Sequence, residues 1–136
     1  MPKRGVAMLA IDTNVIVRFL TGDDPRQSAK AKTVIEGETV FVATTVLLET
    51  QWVLRSSYDF SSEAVTAILR AFAGLPSVTL QDAPLAAQAL DWTDQGMDFA
   101  DALHLAAAAD CDAFVSFDAR LAKTAKGLDA VRVHGP

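Results

Sequence analysis

Hydrophobic and polar positions alternate along the chain in blocks that predict short strands separated by amphipathic helices. Short apolar runs bounded by turn residues predict strands over 8–12, 39–42, 78–80, 113–117 and 131–133. Helical spacing and capping residues predict helices over 14–20, 25–36, 46–56, 83–95, 99–110 and 119–126, and one that starts at 61–63 and is closed by Gly74 and Pro76. The apolar run at the start of the first strand ends in a polar triplet, which predicts a strand buried on both faces. Asp24 with Pro25 is the predicted start of the helix over 25–36, and Thr44 or Thr45 is the predicted cap of the helix over 46–56. Strands that alternate with helices predict an α/β fold with a parallel sheet.

Composition places this fold in a single domain over residues 1–136. The chain is 51% hydrophobic, with a mean hydropathy of +0.23, so it can bury a sizeable core. Its apolar runs are far shorter than the roughly 20 residues of a membrane span, and the start of the chain does not fit a secretory signal. The single cysteine, Cys111, excludes an internal disulfide and fits a reducing cytosol. We therefore expect a cytoplasmic protein without a membrane segment.

The net charge of −5 argues against direct binding of nucleic acid, because phosphate contacts need Lys and Arg. The acids, however, are placed in an informative way. Asp12 follows the first predicted strand and Asp118 the fourth. Ligands of open α/β sheets bind where the strands' carboxyl ends emerge, so both acids are candidate site residues. The alternative is that each one caps the helix that follows it.

Three further acids lie at the start or on the face of predicted helices. Glu49 shares a helix face with Val46 and Val53, which predicts a carboxylate that is paired, protonated or metal-bound; the alternative is a salt bridge to a nearby Arg or Lys. Asp98 and Asp101 lie together in one first turn. Asp98 fits a helix cap, whereas Asp101 is already inside the helix, where capping explains it less well.

If Asp12, Glu49, Asp101 and Asp118 converge, they need a cation. Two carboxylates about 4 Å apart repel by roughly 4 kcal/mol at an effective dielectric constant near 20. Oxygen ligands select hard cations, so Mg²⁺ or Mn²⁺ is expected. A bound metal would attract phosphate, which resolves the conflict with the net charge. The basic residues available for a rim around such a site are Lys3, Arg4, Arg18, Arg26, Lys30, Lys32, Arg55, Arg120, Lys123 and Lys126.

Four segments carry a family resemblance, in motif order and over nearly the whole chain. They are 9–14 (LAIDTN), 45–49 (TVLLE), 98–106 (DFADALHLA) and 115–118 (VSFD). Together they resemble the four motifs of PIN-domain ribonucleases, and most closely those of the VapC-type toxins of toxin–antitoxin pairs. The one small departure is Ser116, where the family more often has threonine; the hydroxyl is retained.

The resemblance implies a three-layer α/β/α fold with a five-stranded parallel sheet, and Mg²⁺- or Mn²⁺-dependent cleavage of RNA by an activated water. It also implies a homodimer and a cognate VapB-like antitoxin whose C-terminal segment reaches the acidic site. By the motif match, the catalytic and metal-binding acids are Asp12, Glu49, Asp101 and Asp118. The supporting polar groups are Thr13, Asn14, Asp98 and Ser116.

Two other classes of protein remain as alternatives. The first is a catalytically silent PIN-like module that only binds a partner, which the intact set of four acids argues against. The second is a phosphotransfer domain of the receiver or aspartyl-phosphatase type. That class needs a second acid close to Asp12 and a lysine placed after a later strand. Here Asn14 stands two positions after Asp12, and no lysine directly follows the fourth or fifth predicted strand.

Overall fold

The structure, a computed structural model, describes residues 7–136, so Lys3 and Arg4 of the predicted basic rim lie outside the described residues. Strands and helices alternate along the described chain, and the α/β class is confirmed. In chain order the elements are β1 (Met8–Ala10), α1 (Thr13–Thr21), α2 (Pro25–Gly37), β2 (Thr39–Val42), α3 (Thr44–Ser56), α4 (Ser62–Ala73), β3 (Val78–Leu80), α5 (Ala83–Asp94), α6 (Phe99–Ala107), β4 (Phe114–Val115), α7 (Ala119–Ala125) and β5 (Val133–His134).

The chain divides into two compact units, Met1–Ala83 and Pro84–Pro136. Each unit has its own parallel ladder: β1-β2-β3 in the first and β4-β5 in the second. All five predicted strands are therefore present and parallel, but they pair as three and two instead of forming the expected single five-stranded ladder. Hydrogen-bond partners are chosen by packing between distant segments, which an apolar pattern along the chain does not encode. The single domain over 1–136 stays a prediction.

In the first unit, β2 is the central strand and supplies the core. Its Val40 and Val42 are buried, whereas Met8 and Leu9 of β1 are 47% and 39% exposed. The prediction that the first strand is buried on both faces is therefore wrong. Among the described strands β1 pairs with β2 alone and lies at the outside of this ladder, so its side chains have fewer neighbours.

Helix capping in the first unit follows the predicted signals at one helix and departs from them at another. Asp24 caps α2 and Pro25 stands at its first position, as predicted. The helix α3, in contrast, starts at Thr44 without a side-chain cap, so the prediction of a cap at Thr44 or Thr45 is wrong. The backbone N–H of Thr44 instead donates to Oε1 of Gln81 at 2.9 Å, and this distant side chain satisfies the helix terminus.

The buried hydrophobic residues of the second unit lie mainly on α5, α6 and α7, and its strands are short. The buried core residues include Trp92, Phe99, Leu103, Leu105 and Leu121. The predicted strand over 113–117 is reduced to Phe114–Val115. It is also not deeply buried, because Val115 is 55% exposed and Phe117 is 93% exposed.

Candidate functional site

Asp12 and Thr13 lie at the junction between β1 and α1. Asp12 is the N-cap of α1, and its Oδ1 accepts a hydrogen bond from the backbone N–H of Thr13 at 2.8 Å. The capping alternative therefore holds for Asp12. Its side chain is exposed, and its Oδ2 accepts no hydrogen bond from the described residues. Capping thus leaves one carboxylate oxygen of Asp12 open to a ligand.

Thr13 connects this junction to Glu49 on α3. Thr13 is buried, and its hydroxyl donates to Oε1 of Glu49 at 2.6 Å. Glu49 itself is exposed, and Thr50 beside it is the residue that faces the core. The prediction of a carboxylate on a buried apolar stripe is therefore wrong. The salt-bridge alternative is wrong as well, since within residues 7–136 Glu49 forms no ion pair with Lys or Arg. Its partner is a neutral hydroxyl.

Asn14 is exposed on α1 and lies along a groove between α1 and α2. The groove has a volume of about 330 Å³, and Arg18 and Lys30 also line it. Arg18 of the predicted basic rim is engaged in an ion pair, with Nη1 3.0 Å from Oδ1 of Asp23. The hydroxyl of Tyr58 also donates to Asp23, and this hydrogen bond is the main reason that the pKa of Asp23 is lowered.

Asp98 and Asp101 occupy the first turn of α6. Oδ2 of Asp98 accepts a hydrogen bond from the backbone N–H of Asp101 at 3.1 Å, so Asp98 is the predicted cap. Asp101 is half-buried. Burial raises its pKa, and the negative charges of Asp98 and Asp118 raise it further, while His104 lowers it. Both burial and the charges of Asp98 and Asp118 therefore disfavour the ionised form of Asp101.

Asp118 and Ser116 lie together between β4 and α7. Oδ1 of Asp118 caps α7 by accepting from the backbone N–H groups of Arg120 at 2.9 Å and Leu121 at 3.1 Å. The hydroxyl oxygen of Ser116 accepts from the backbone N–H of Asp118 at 3.0 Å. Ser116 thus holds the backbone of Asp118, which is the kind of supporting role that the resemblance implies. The capping alternative holds for Asp118 too.

The candidate acids of each unit offer carboxylate oxygens, which are the ligands that a hard cation prefers. Among the residues that the structure describes, no three His, Cys, Asp or Glu side chains form a group that could hold a metal ion. Mg²⁺, however, is usually bound through one or two carboxylates, and water or substrate phosphate fills its other positions. The residues that could hold such an ion are Asp101 with Asp118 in the second unit and Asp12 with Glu49 in the first.

The raised pKa of Asp101 predicts a pH-dependent gain in stability when the charge is removed. The native state holds the carboxyl proton of Asp101 more tightly than the unfolded chain does, and this difference stabilises the native state at low pH. The stabilisation is complete below the pKa of the unfolded chain, about 3.9, and is lost as the pH rises through the pKa of the native state. In a chelating buffer, Asp101→Asn should therefore be more stable than wild type at pH 7. The difference should be under about 1 kcal/mol because solvent screens the site, and it should shrink towards pH 4.

Urea unfolding of both proteins at pH 7 and near pH 4.5 measures this difference. Asp110→Asn, an exposed acid of the same unit, is the matched control and should show no such dependence on pH. A destabilised Asp101→Asn protein at pH 7 would contradict the prediction.

Comparison with protein families identifies the class of protein that has this fold and these carboxylates. The family model described as PIN domain matches residues 9–127, which is most of the chain. The chain belongs to the PIN domain family. The matched region spans all four segments that carry the carboxylates.

Among solved structures, two are similar over nearly their full lengths. Mycobacterium tuberculosis VapC20, a sarcin–ricin loop cleaving toxin, is 23% identical with a TM-score of 0.43, and the match covers 93% of this chain and 99% of that chain. VapBC2 from Rickettsia felis, bound to a DNA fragment from its promoter, is 14% identical with a TM-score of 0.40, covering 95% and 98%. At these scores the likeness assigns neither a function nor a partner to this chain. A search of curated proteins finds no match.

The helices of residues 7–136 include none that is long and apolar enough to cross a membrane.

Proposed function

We propose that this PIN-domain protein is a Mg²⁺- or Mn²⁺-dependent endoribonuclease that acts as the VapC-type toxin of a toxin–antitoxin pair. The observation that carries the proposal is that Asp101 is half-buried beside the negative charges of Asp98 and Asp118; burial first, and then these two charges, raise its pKa. Like charges kept beside a half-buried carboxylate cost stability without serving packing. A bound cation would offset this cost, which is a physical reason for a protein to retain the arrangement.

Each acid has a distinct role in this proposal. Asp101 and Asp118 would hold the metal in the second unit, and Asp98 sets the first turn that presents Asp101. Asp12 and Glu49 would contribute the carboxylates of the other two motifs, with Thr13 fixing Glu49 through its hydroxyl. When bound, the ion would lower the pKa of a water molecule and stabilise the negative charge that develops on the phosphate.

The partners belong to the proposal as well. The motif resemblance supports an RNA substrate, a homodimer and inhibition by a VapB-like antitoxin in the cytoplasm. A catalytically silent PIN module that only binds a partner is the second candidate.

A manganese titration followed by electron paramagnetic resonance separates the two candidates without knowledge of the RNA target. Wild type, Asp101→Asn and the exposed control Asp110→Asn are compared as purified, antitoxin-free proteins. We expect saturable Mn²⁺ binding that is equally tight in wild type and Asp110→Asn. Binding to Asp101→Asn should be at least about 10-fold weaker, because even residues that only orient metal ligands contribute about 10- to 100-fold to metal affinity. Equal or absent binding in all three would favour the silent module.

A further inference from the structure

Phe117 stands in the second unit between two of the candidate site residues, Ser116 and Asp118. Its ring is 93% exposed, the most of any large hydrophobic side chain in residues 7–136. A single exposed apolar side chain is ordinary on a protein surface. This one is of interest because it lines a cavity together with the acid that follows it.

The cavity has a volume of about 320 Å³ and lies against one face of α7. Its lining includes Ser116, Phe117, Asp118, Ala122, Lys123 and Lys126. Leu121 and Ala125 bury the opposite face of the helix in the core and so fix which side chains face the cavity. Because the side chain of Ala122 is small, it leaves the cavity open beside Lys123 and Lys126.

The lysines give this cavity a positive edge in a chain of net charge −5. Both are exposed, and neither has an ion-pair partner in the part of the chain that the structure describes. Ammonium groups without a protein counter-ion are suited to phosphate oxygens. An aromatic ring presents a flat apolar surface on which any unpaired base can stack. The cavity therefore combines both elements of a site for single-stranded nucleic acid, directly beside Asp118.

We propose that this cavity binds an unpaired segment of RNA, with one base stacked on Phe117 and the neighbouring phosphates held by Lys123 and Lys126. The proposal rests on the proposed ribonuclease function and assigns Phe117, Lys123 and Lys126 to the binding of its substrate. In a duplex the faces of each base are already covered by its neighbours, so the ring of Phe117 gains a stacking partner only from an unpaired base.

The proposal is tested by binding of a single-stranded RNA that carries one 2-aminopurine, a base whose fluorescence is quenched when it stacks. The RNA is about ten nucleotides long, which suits single-strand sites of about 4–16 nucleotides. The titration is done in Ca²⁺ buffer. Phe117→Ala should bind about 5- to 150-fold more weakly and lose the quenching, as expected for loss of one stacked base. Phe117→Trp should retain both. Trp52→Ala, which removes a 62% exposed aromatic ring of the first unit, is the matched control and should bind like wild type.

The salt dependence of the same titration tests the lysines. Lys123→Gln and Lys126→Gln should each reduce the slope of log K against log salt by about 0.7. Arg132→Gln removes an exposed cation of the same unit that does not line the cavity, and it should leave the slope unchanged. The proposal is overturned if Phe117→Ala binds like wild type, if neither lysine changes the slope, or if a duplex competes as well as a single strand.

RNA cleavage by the wild-type protein is measured in parallel, so that the two proposals can fail separately. Wild type that cleaves RNA, together with Phe117→Ala that binds normally, would overturn the base-stacking site alone. Wild type that binds single strands through Phe117 but neither cleaves RNA nor binds Mn²⁺ would overturn the nuclease and leave the stacking site supported. Because Phe117 is almost fully exposed, its replacement should not affect folding, which circular dichroism checks.

Discussion

Replacing Asp101 with asparagine is expected to lower the rate of Mn²⁺-dependent RNA cleavage at least about 100-fold. Partners that only orient metal ligands contribute 10- to 100-fold, and a direct ligand should contribute at least as much. Asp101 is the acid whose pKa is raised by burial and by Asp98 and Asp118, so it is the carboxylate whose charge a cation would compensate most. Asparagine keeps the shape of the side chain and removes only the charge.

Initial rates on single-stranded RNA, measured over a range of Mn²⁺ concentrations, give this comparison. Asp110→Asn loses the same charge from an exposed position of the same unit and should keep the wild-type rate. If Asp101→Asn and Asp110→Asn cleave equally well, Asp101 has no part in the reaction.

The same substitution is expected to have opposite effects on activity and stability. Asp101→Asn should be slightly more stable than wild type at neutral pH, because it removes a half-buried charge and the repulsion of that charge from Asp98 and Asp118. A protein that loses activity by misfolding would instead be less stable. Measuring both quantities on one preparation therefore distinguishes a functional carboxylate from a structural one.

The sequence predicted the features of the fold that depend on local signals. The bounds of β2 and β3 and the cap of α2 by Asp24 agree with the structure, since β-branched runs and capping residues act within a few positions. Strand partners and exposure depend on distant segments. The ladder of three and the ladder of two, and the exposure of β1, could therefore not be read from apolar runs alone.

The candidate site shows that capping and ligand binding are not exclusive alternatives. Asp12, Asp98 and Asp118 all cap helices, and in each case the capping hydrogen bonds use one of the two carboxylate oxygens. The sequence alone does not distinguish a helix cap from a metal ligand, because an aspartate between a strand and the helix that follows it suits both roles.

Glu49 of the candidate site and Phe117 beside it are both more exposed than the apolar residues around them in the sequence indicated. Glu49 was expected on an apolar stripe, but helix α3 turns Thr50 to the core and leaves Glu49 exposed with the Thr13 hydroxyl as its partner. Phe117 was expected in an apolar strand over 113–117, yet the strand ends at Val115. The available signal was Ser116, a polar residue that interrupts the apolar run just before Phe117.

Removing the hydroxyl of Thr13 is expected to reduce cleavage about 10- to 100-fold with little loss of stability. Thr13→Val keeps the shape of this buried side chain but leaves Glu49 without the donor that lies 2.6 Å away. A group that orients a metal ligand or catalytic carboxylate contributes on this scale. Because Glu49 is exposed, water can replace the lost hydrogen bond, so the free energy of unfolding should fall by no more than about 1 kcal/mol.

Thr50→Val is the matched control for this experiment. Thr50 is also buried, but its hydroxyl donates to the carbonyl of Val46 within α3 at 2.7 Å and touches no candidate site residue. Thr13→Ser restores the donor and should recover most of the cleavage rate, measured with the same RNA and Mn²⁺ concentrations as for wild type. If serine and valine at position 13 are equally impaired, the methyl group of Thr13 matters and its hydroxyl does not. If valine cleaves as fast as wild type, the orientation of Glu49 has no influence on the reaction.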